Sequence, residues 1–146
     1  ARWLGLRIVG GLALRLRGPQ ERISLRFATS HPDAVGTQVL QVRIGGGFPD
    51  DVVLERRRPE DPPGQPLGDL ILDRGLRAWD GPADLGTRLG RDDVRGPLLD
   101  LLHGPDTPRV AFGGIELRAR GGATPRLLDR LDEVDALARA LEAGWR

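Results

Sequence analysis

Apolar residues recur at every second position in a series of short stretches, and that period commits much of the chain to β-strands with one apolar and one polar face. Leu12, Leu14 and Leu16 alternate with Ala13, Arg15 and Arg17. Ile23, Leu25 and Phe27 alternate with Arg22, Ser24 and Arg26, and Leu40, Val42 and Ile44 flank Gln41 and Arg43. Turn-forming residues punctuate the series: Gly10-Gly11 between LRIV and LALRLR, GPQE at 18–21, and the polar loop TSHPDAVG. A Gly-Gly pair supplies the positive φ of a tight turn, so LRIV and LALRLR predict a β-hairpin, and TQVLQVRI predicts a strand paired with its predecessor. On this register Arg15, Arg17, Arg22 and Arg26 share the solvent face of a small antiparallel sheet.

The middle of the chain breaks this pattern. GGGFPDD marks a turn and VVLERR a short strand, after which RRPEDPPGQPLGD carries four prolines. Proline has no N–H for a sheet ladder, so residues 58–67 read as an internal loop. A short helical turn carrying Asp69 and Asp73, then an extended LRAWDG, is the expected continuation. RDDVRGPLLDLLHG predicts a helix with Asp92 as N-cap and Gly104 as stop. Pro97 either interrupts that helix or opens it at its first position.

RVAF and IELRAR, separated by Gly113-Gly114, repeat the hairpin pattern, with Val110 and Phe112 on one strand and Ile115 and Leu117 on the next. Thr124-Pro125 then reads as N-cap and first helical position. Leu127, Leu128, Leu131, Val134, Leu137, Ala138 and Leu141 form one helical stripe, with Asp135 and Arg139 as an i,i+4 pair and Gly144 as the stop. The expected fold class is therefore α+β: an antiparallel sheet built from hairpins, packed against a C-terminal helix and one or two shorter helices. At 146 residues the chain is read as one domain, 1–146, with the proline-rich loop internal to it.

Composition bears on function mainly by exclusion. Without cysteine there is no disulfide framework, thiolate metal site or cysteine nucleophile. No stretch approaches the ~20 continuous apolar residues of a membrane-spanning helix. All 22 basic residues are arginine, and 15 of the 21 acids are aspartate, a bias that GC-rich coding produces and that precedes any reading as recognition. The missing methionine is read as the mark of a processed or excised piece of a longer chain. Charge is uneven despite a net +1: six Arg against one Glu over residues 1–30, and nine Asp against five Arg over 61–108. Such asymmetry steers a charged partner to one face or pairs two segments within the fold.

Chemically suggestive residues are few. Asp69 and Asp73, four apart, would share one side of a helical turn, as paired carboxylates in acid–base or Mg²⁺ chemistry do; the favoured reading is that they cap local turns or pair with Arg74, Arg77 or Arg95. Asp92 and Asp93 read as helix-start residues. His31 lies in a polar loop and His103 ends a leucine-rich helix near Asp100 and Asp106, without metal-ligand spacing. Ser24 and Ser30 lack a nearby base, and the glycine runs fit neither a dinucleotide fingerprint nor a P-loop. No catalytic residue, metal site or cofactor is expected. The Arg15, Arg17, Arg22 and Arg26 face would attract an anionic surface, but three Phe, three Trp and no Tyr make a poor stacking platform, so nucleic acid is not the expected partner.

From LGDLILDRGLRAWDG through DDVRGPLLDLL and VAFGGIELRARG to the last helix, the chain resembles a poorly characterised bacterial domain of membrane-tethered proteins. Gly68, Asp69, Asp73, Arg95, Leu98 and Leu99 carry the resemblance over roughly residues 68–146, and Gly96-Pro97 inside the expected helix departs from it. The resemblance implies a soluble domain beside membrane segments and no chemistry to carry over; the sequence leaves its localisation open, with a cytoplasmic site next to a membrane as one option. The favoured expectation is a noncatalytic structural or protein-interaction domain, part of a larger bacterial assembly or of a membrane-tethered protein, with a protein partner or parent-chain segments. Its alternatives are a small hydrolase or metal-dependent enzyme using Asp69 and Asp73, and a weak anionic-surface module using the N-terminal arginines.

Overall fold

The computed structural model describes residues 6–9, 13–16, 22–28, 37–120 and 124–146, with side chains described over 22–25, 37–120 and 127–146. The architecture is α+β. Strands β1 (Leu6–Val9), β2 (Ala13–Leu16), β3 (Ile23–Ala28) and β4 (Thr37–Arg43) follow one another as antiparallel neighbours. Next come β5 (Val53–Arg56), helix α1 (Leu70–Gly75), β6 (Leu76–Trp79), α2 (Leu85–Leu89) and α3 (Asp92–Leu102). The chain closes with β7 (Arg109–Ala111), β8 (Gly114–Arg120), α4 (Thr124–Asp129) and α5 (Leu131–Trp145).

Among the described residues the strands form one antiparallel eight-stranded sheet in the order β1-β2-β3-β4-β8-β7-β5-β6. The β7–β8 hairpin thus inserts between β4 and β5, which are consecutive in sequence but not neighbours. Alternation places Ile23, Leu25, Leu40, Val42, Leu54, Ala78, Val110, Ile115 and Leu117 on one face, where they join Leu72, Leu89, Leu98, Leu101, Val134 and Leu141 from the helices in one buried cluster. The helices cover this face, and the other face carries the polar positions.

Several expected boundaries move. The β7–β8 turn is Phe112-Gly113, not Gly113-Gly114: Ala111 pairs with Gly114, and Phe112 and Gly113 have φ of +55° and +71°. That is the two-residue loop with both central residues in the left-handed region. Phe112 therefore leaves the strand and is 72% exposed. Asp92 is the first residue of α3 instead of its cap; Arg91 holds the cap position without a side-chain cap bond. α3 runs through Gly96-Pro97, and the hydrogen bond that Pro97 forgoes would have gone to the carbonyl of exposed Asp93, where water can replace it. It ends at Leu102, with His103 as its C-cap ahead of Gly104.

The final apolar stripe is buried as expected, but it spans two helices. Arg130 separates them: its guanidinium donates to the Pro105 carbonyl at 2.8 Å and lies 3.5 Å from Asp106, tying the joint to the α3–β7 loop. Thr124 is the first helical residue of α4, and Gly144 lies inside α5. Gly10-Gly11, the GPQE turn, the TSHPDAVG loop with His31 and Ser30, and Arg17 lie outside the described residues.

Candidate functional site

The proline-rich loop that precedes α1 is stitched to the sheet. Asp61 Oδ2 accepts from the Arg58 amide at 2.9 Å, the Gln65 amide donates to the Ala78 carbonyl at 2.7 Å, and the Gln65 side chain exchanges two hydrogen bonds with the Gly81 backbone. Prolines remove donors, and side chains replace the missing ladder bonds here.

Asp69 and Asp73 are both engaged in this local frame. Asp69 is the N-cap of α1: Oδ1 accepts from the Ile71 and Leu72 amides at 3.0 Å each, and Oδ2 accepts from Arg95 at 3.0 Å. The Leu72 amide and the Arg95 guanidinium, with help from the Ile71 amide, outweigh burial and hold the Asp69 carboxyl below its ordinary value. Asp73 Oδ1 accepts from the Leu67 amide at 2.9 Å, while its backbone carbonyl accepts from Arg57 at 2.6 Å. The two carboxylates bind backbone amides and an arginine and line no described cleft. Of the three arginines named for them, Arg95 is the one bonded, whereas Arg77 turns to Glu55 at 2.6 Å. His103 Nε2 stands 2.7 Å from the Gly75 carbonyl, which can only accept, so this nitrogen carries the proton. Among the described residues no group of three or more His, Asp or Glu side chains could hold a metal ion, and no helix is long and apolar enough to cross a membrane.

The helix-free face of the sheet is the more developed surface. Register lines up one row of residues across it: Arg15 opposite Ser24, Ser24 opposite Gln41, Gln41 opposite Glu116, Glu116 opposite Arg109, Arg109 opposite Glu55 and Glu55 opposite Arg77. Opposite charges face each other along its second half. Glu116 is only 2% exposed and accepts from Arg109 at 2.8 Å, with Arg118 3.6 Å away, so its buried charge is compensated. Arg77 also lies over the Trp79 ring, 5.0 Å from its centroid.

Arg43, Arg118 and Arg120 are exposed on β4 and β8. Register sets Arg26 opposite Val39 and Arg15 opposite Ser24. Arg22 does not face solvent as expected: its guanidinium is 14% exposed, donates to the Arg43 carbonyl at 3.4 Å and lies 3.7 Å from Glu142 and 3.9 Å from Asp135 on α5. It bridges sheet and helix.

At one end of the same face stands Phe112. A cleft of about 460 Å³ beside it is lined by Ser24, Gln41, Arg43, Asp50 and Asp51, and a second of about 640 Å³ by Asp50, Asp51, Val53 and Asp80. The Asp50 carboxylate sits so close to Gly113 that a Cβ there would come within 2.5 Å of Oδ1. Arg109 reaches over the Phe112 ring at 5.7 Å. Sequence reading places Phe112 on a strand. The signal that could have found its true position is the two-residue spacing of a hairpin loop, which Gly113-Gly114 obscured. A scan against protein-family models, a search of curated proteins and a search of solved structures each found no match to this chain.

Proposed function

We propose that this chain is a noncatalytic protein-interaction domain, part of a larger bacterial membrane-tethered assembly, that docks a partner on its helix-free sheet face with Phe112 as the apolar anchor. The observation that carries the reading is Phe112 itself. A bulky aromatic held at φ +55° costs about 1–2 kcal/mol against a residue suited to the left-handed region, and its ring stays in water. Neither fold stability nor turn chemistry favours that choice, whereas an exposed aromatic flanked by arginine is the composition of interface anchors. Asp50 and Asp51 on one side and Arg43 on the other provide a rim of mixed charge that suits a protein surface better than a uniformly anionic polymer.

The test is site-specific photo-cross-linking in the source cells, with the reactive side chain placed at position 112 or, as control, at exposed Arg74 on α1. The reading expects a defined protein adduct from position 112 alone, abolished when Arg43→Glu and Arg118→Glu are combined with the probe. Equal yields from both positions, or an adduct indifferent to charge reversal, would overturn it.

A second reading has its own observation. Arg43 and Arg120 are exposed and make no ion pair among the described residues, as a face meeting anionic headgroups would require. Flotation with phosphatidylglycerol vesicles that persists at about 0.15 M salt and disappears on charge reversal, with no protein adduct at position 112, would make this reading primary.

A further inference from the structure

A third cleft, of about 430 Å³, opens where β5 ends and β6 and β7 begin, away from Phe112. Arg56, Arg58, Arg77 and Arg109 line it together with the carboxylates of Glu55 and Asp61, with Thr107 and the apolar Leu102 and Pro108 completing the lining. Two of these cations are already committed. Arg77 donates to Glu55 at 2.6 Å and stands 4.0 Å from Asp61, and Arg109 donates to Glu116 at 2.8 Å. The guanidinium groups of Arg56 and Arg58 are exposed and make no hydrogen bond or ion pair among the described residues. Glu55 and Asp61 both lie on Arg77 and Glu116 lies on Arg109, so the cleft keeps a net positive charge, with Arg56 and Arg58 as its unpaired cations.

Its walls are set before any ligand arrives. Pro59 fixes its own φ inside the Arg58–Asp61 turn, which is closed by the Asp61 amide on the Arg58 carbonyl at 3.0 Å and by the Asp61 carboxylate on the Arg58 amide at 2.9 Å. Between the two free arginines, Arg57 is pinned twice, its amide to the Gly75 carbonyl at 3.1 Å and its guanidinium to the Asp73 carbonyl. Across the cleft, Asp106 and Thr107 adopt φ of +73° and +47°, a conformation that persists in non-glycine residues only where the surroundings enforce it. The Arg118 amide donates to the Asp106 carbonyl at 2.6 Å and helps enforce it. Fixed backbone on both sides lowers the ordering cost of binding.

We propose that this cleft binds a phosphate monoester dianion, with Arg56 and Arg58 as its charge partners and the Thr107 hydroxyl as a further donor. A guanidinium fork matches two oxygens of a tetrahedral phosphate, and the three terminal oxygens of a monoester let both unpaired arginines bond the same group. A single carboxylate has only two oxygens to share between the two guanidinium groups. A phosphodiester has two terminal oxygens in place of three and one charge in place of two.

Inorganic phosphate and a phosphoserine peptide, which present this group free and on a protein chain, are titrated into isotope-labelled protein at constant ionic strength, and the arginine Nε–Hε and Thr107 amide resonances are followed. Saturable shifts at these positions are expected, with the tighter of the two probes identifying the source. The exposed pair Arg56→Gln and Arg58→Gln should weaken binding by about tenfold or more, while Arg74→Gln, an equal loss of charge per residue outside the cleft, should change it by less than about twofold. Phosphoserine binding should also weaken as the dianion takes up a proton below about pH 6. Shifts that never saturate, that chloride reproduces, or that Arg74→Gln reduces as much as the cleft variants would overturn the proposal.

Discussion

Arg95, in the first half of α3, holds one oxygen of Asp69 at 3.0 Å while the other oxygen of the same carboxylate caps α1. One side chain thus closes a six-residue helix and ties it to an eleven-residue one. The pair is partly exposed, at 32% for Arg95 and 19% for Asp69, so its Coulombic part is screened and the cap bonds dominate. Asp69→Ala should cost about 1 kcal/mol at neutral pH.

The pH dependence of that loss follows from the direction of the shift. The Asp69 carboxyl is lowered in the folded chain from an ordinary value of 3.8, so its contribution is fully present above that value and disappears as pH falls through the lower folded value. Urea midpoints of wild type and Asp69→Ala should differ at pH about 7 and converge as pH drops below about 4. A gap that stays constant across this range would show that the charged form contributes nothing.

Leu131, fully buried at the start of α5, should cost roughly 2–5 kcal/mol on truncation to alanine, because apolar burial is removed and a cavity is left behind. Glu133→Ala, two residues on and 55% exposed, should stay within about 0.5 kcal/mol. Arg130→Ala is a poor neutral control, because that residue bonds the Pro105 carbonyl. Denaturation midpoints at a common m-value make the comparison, and equal midpoints would contradict the burial of the stripe.

Phe112→Asn should raise stability. It converts the turn to Asn-Gly, the pair best suited to two consecutive positive φ angles, and so relieves about 1–2 kcal/mol of left-handed strain. Removing the ring also removes the cation–π attraction of Arg109, worth about 0.5–1 kcal/mol at an exposed site, so relief is the larger effect. A higher thermal midpoint for Phe112→Asn, together with failure of this variant to compete for the partner captured at position 112, would separate a binding role for this residue from a folding one. An unchanged or lower midpoint would show that the ring stabilises the turn.

Gly86→Ala should be destabilising although alanine is the better helix former. A Cβ at position 86 would fall 1.7 Å from the Leu67 carbonyl oxygen, a backbone atom that cannot rotate away. Overpacking of this kind costs about 1–3 kcal/mol, against a propensity gain of about 1 kcal/mol. Thr87→Ala on the exposed side of the same helix should be near neutral; a similar response from both would argue against the close approach of α2 to the loop before α1.

The α+β class, the strand alternation and the closing apolar stripe were legible because they are local. A period of two or of 3.6 residues shows in a short window, and burial of Leu40, Val42, Ile115, Leu117, Leu131 and Val134 follows from it. Gly68-Asp69 similarly announced a capped turn, since an Asp side chain reaches amides only two or three residues on. Other features depend on partners far away in sequence. The β7–β8 hairpin takes the place beside β4 because pairing there aligns Leu117 and Ile115 with Leu40 and Val42, a choice among strand edges that no single stretch encodes. That pairing buries Glu116 beside Arg109 and turns alternating polar positions on separate strands into one charged row. Arg22 looks like its neighbours along the strand, and only the packing of α5 brings Glu142 and Asp135 to it. Local patterning by itself determined the element type and the apolar face of these strands and of the closing stripe. Tertiary structure decided which charges meet, because ion pairing and cleft formation depend on the distance between segments and not on the order of residues within them.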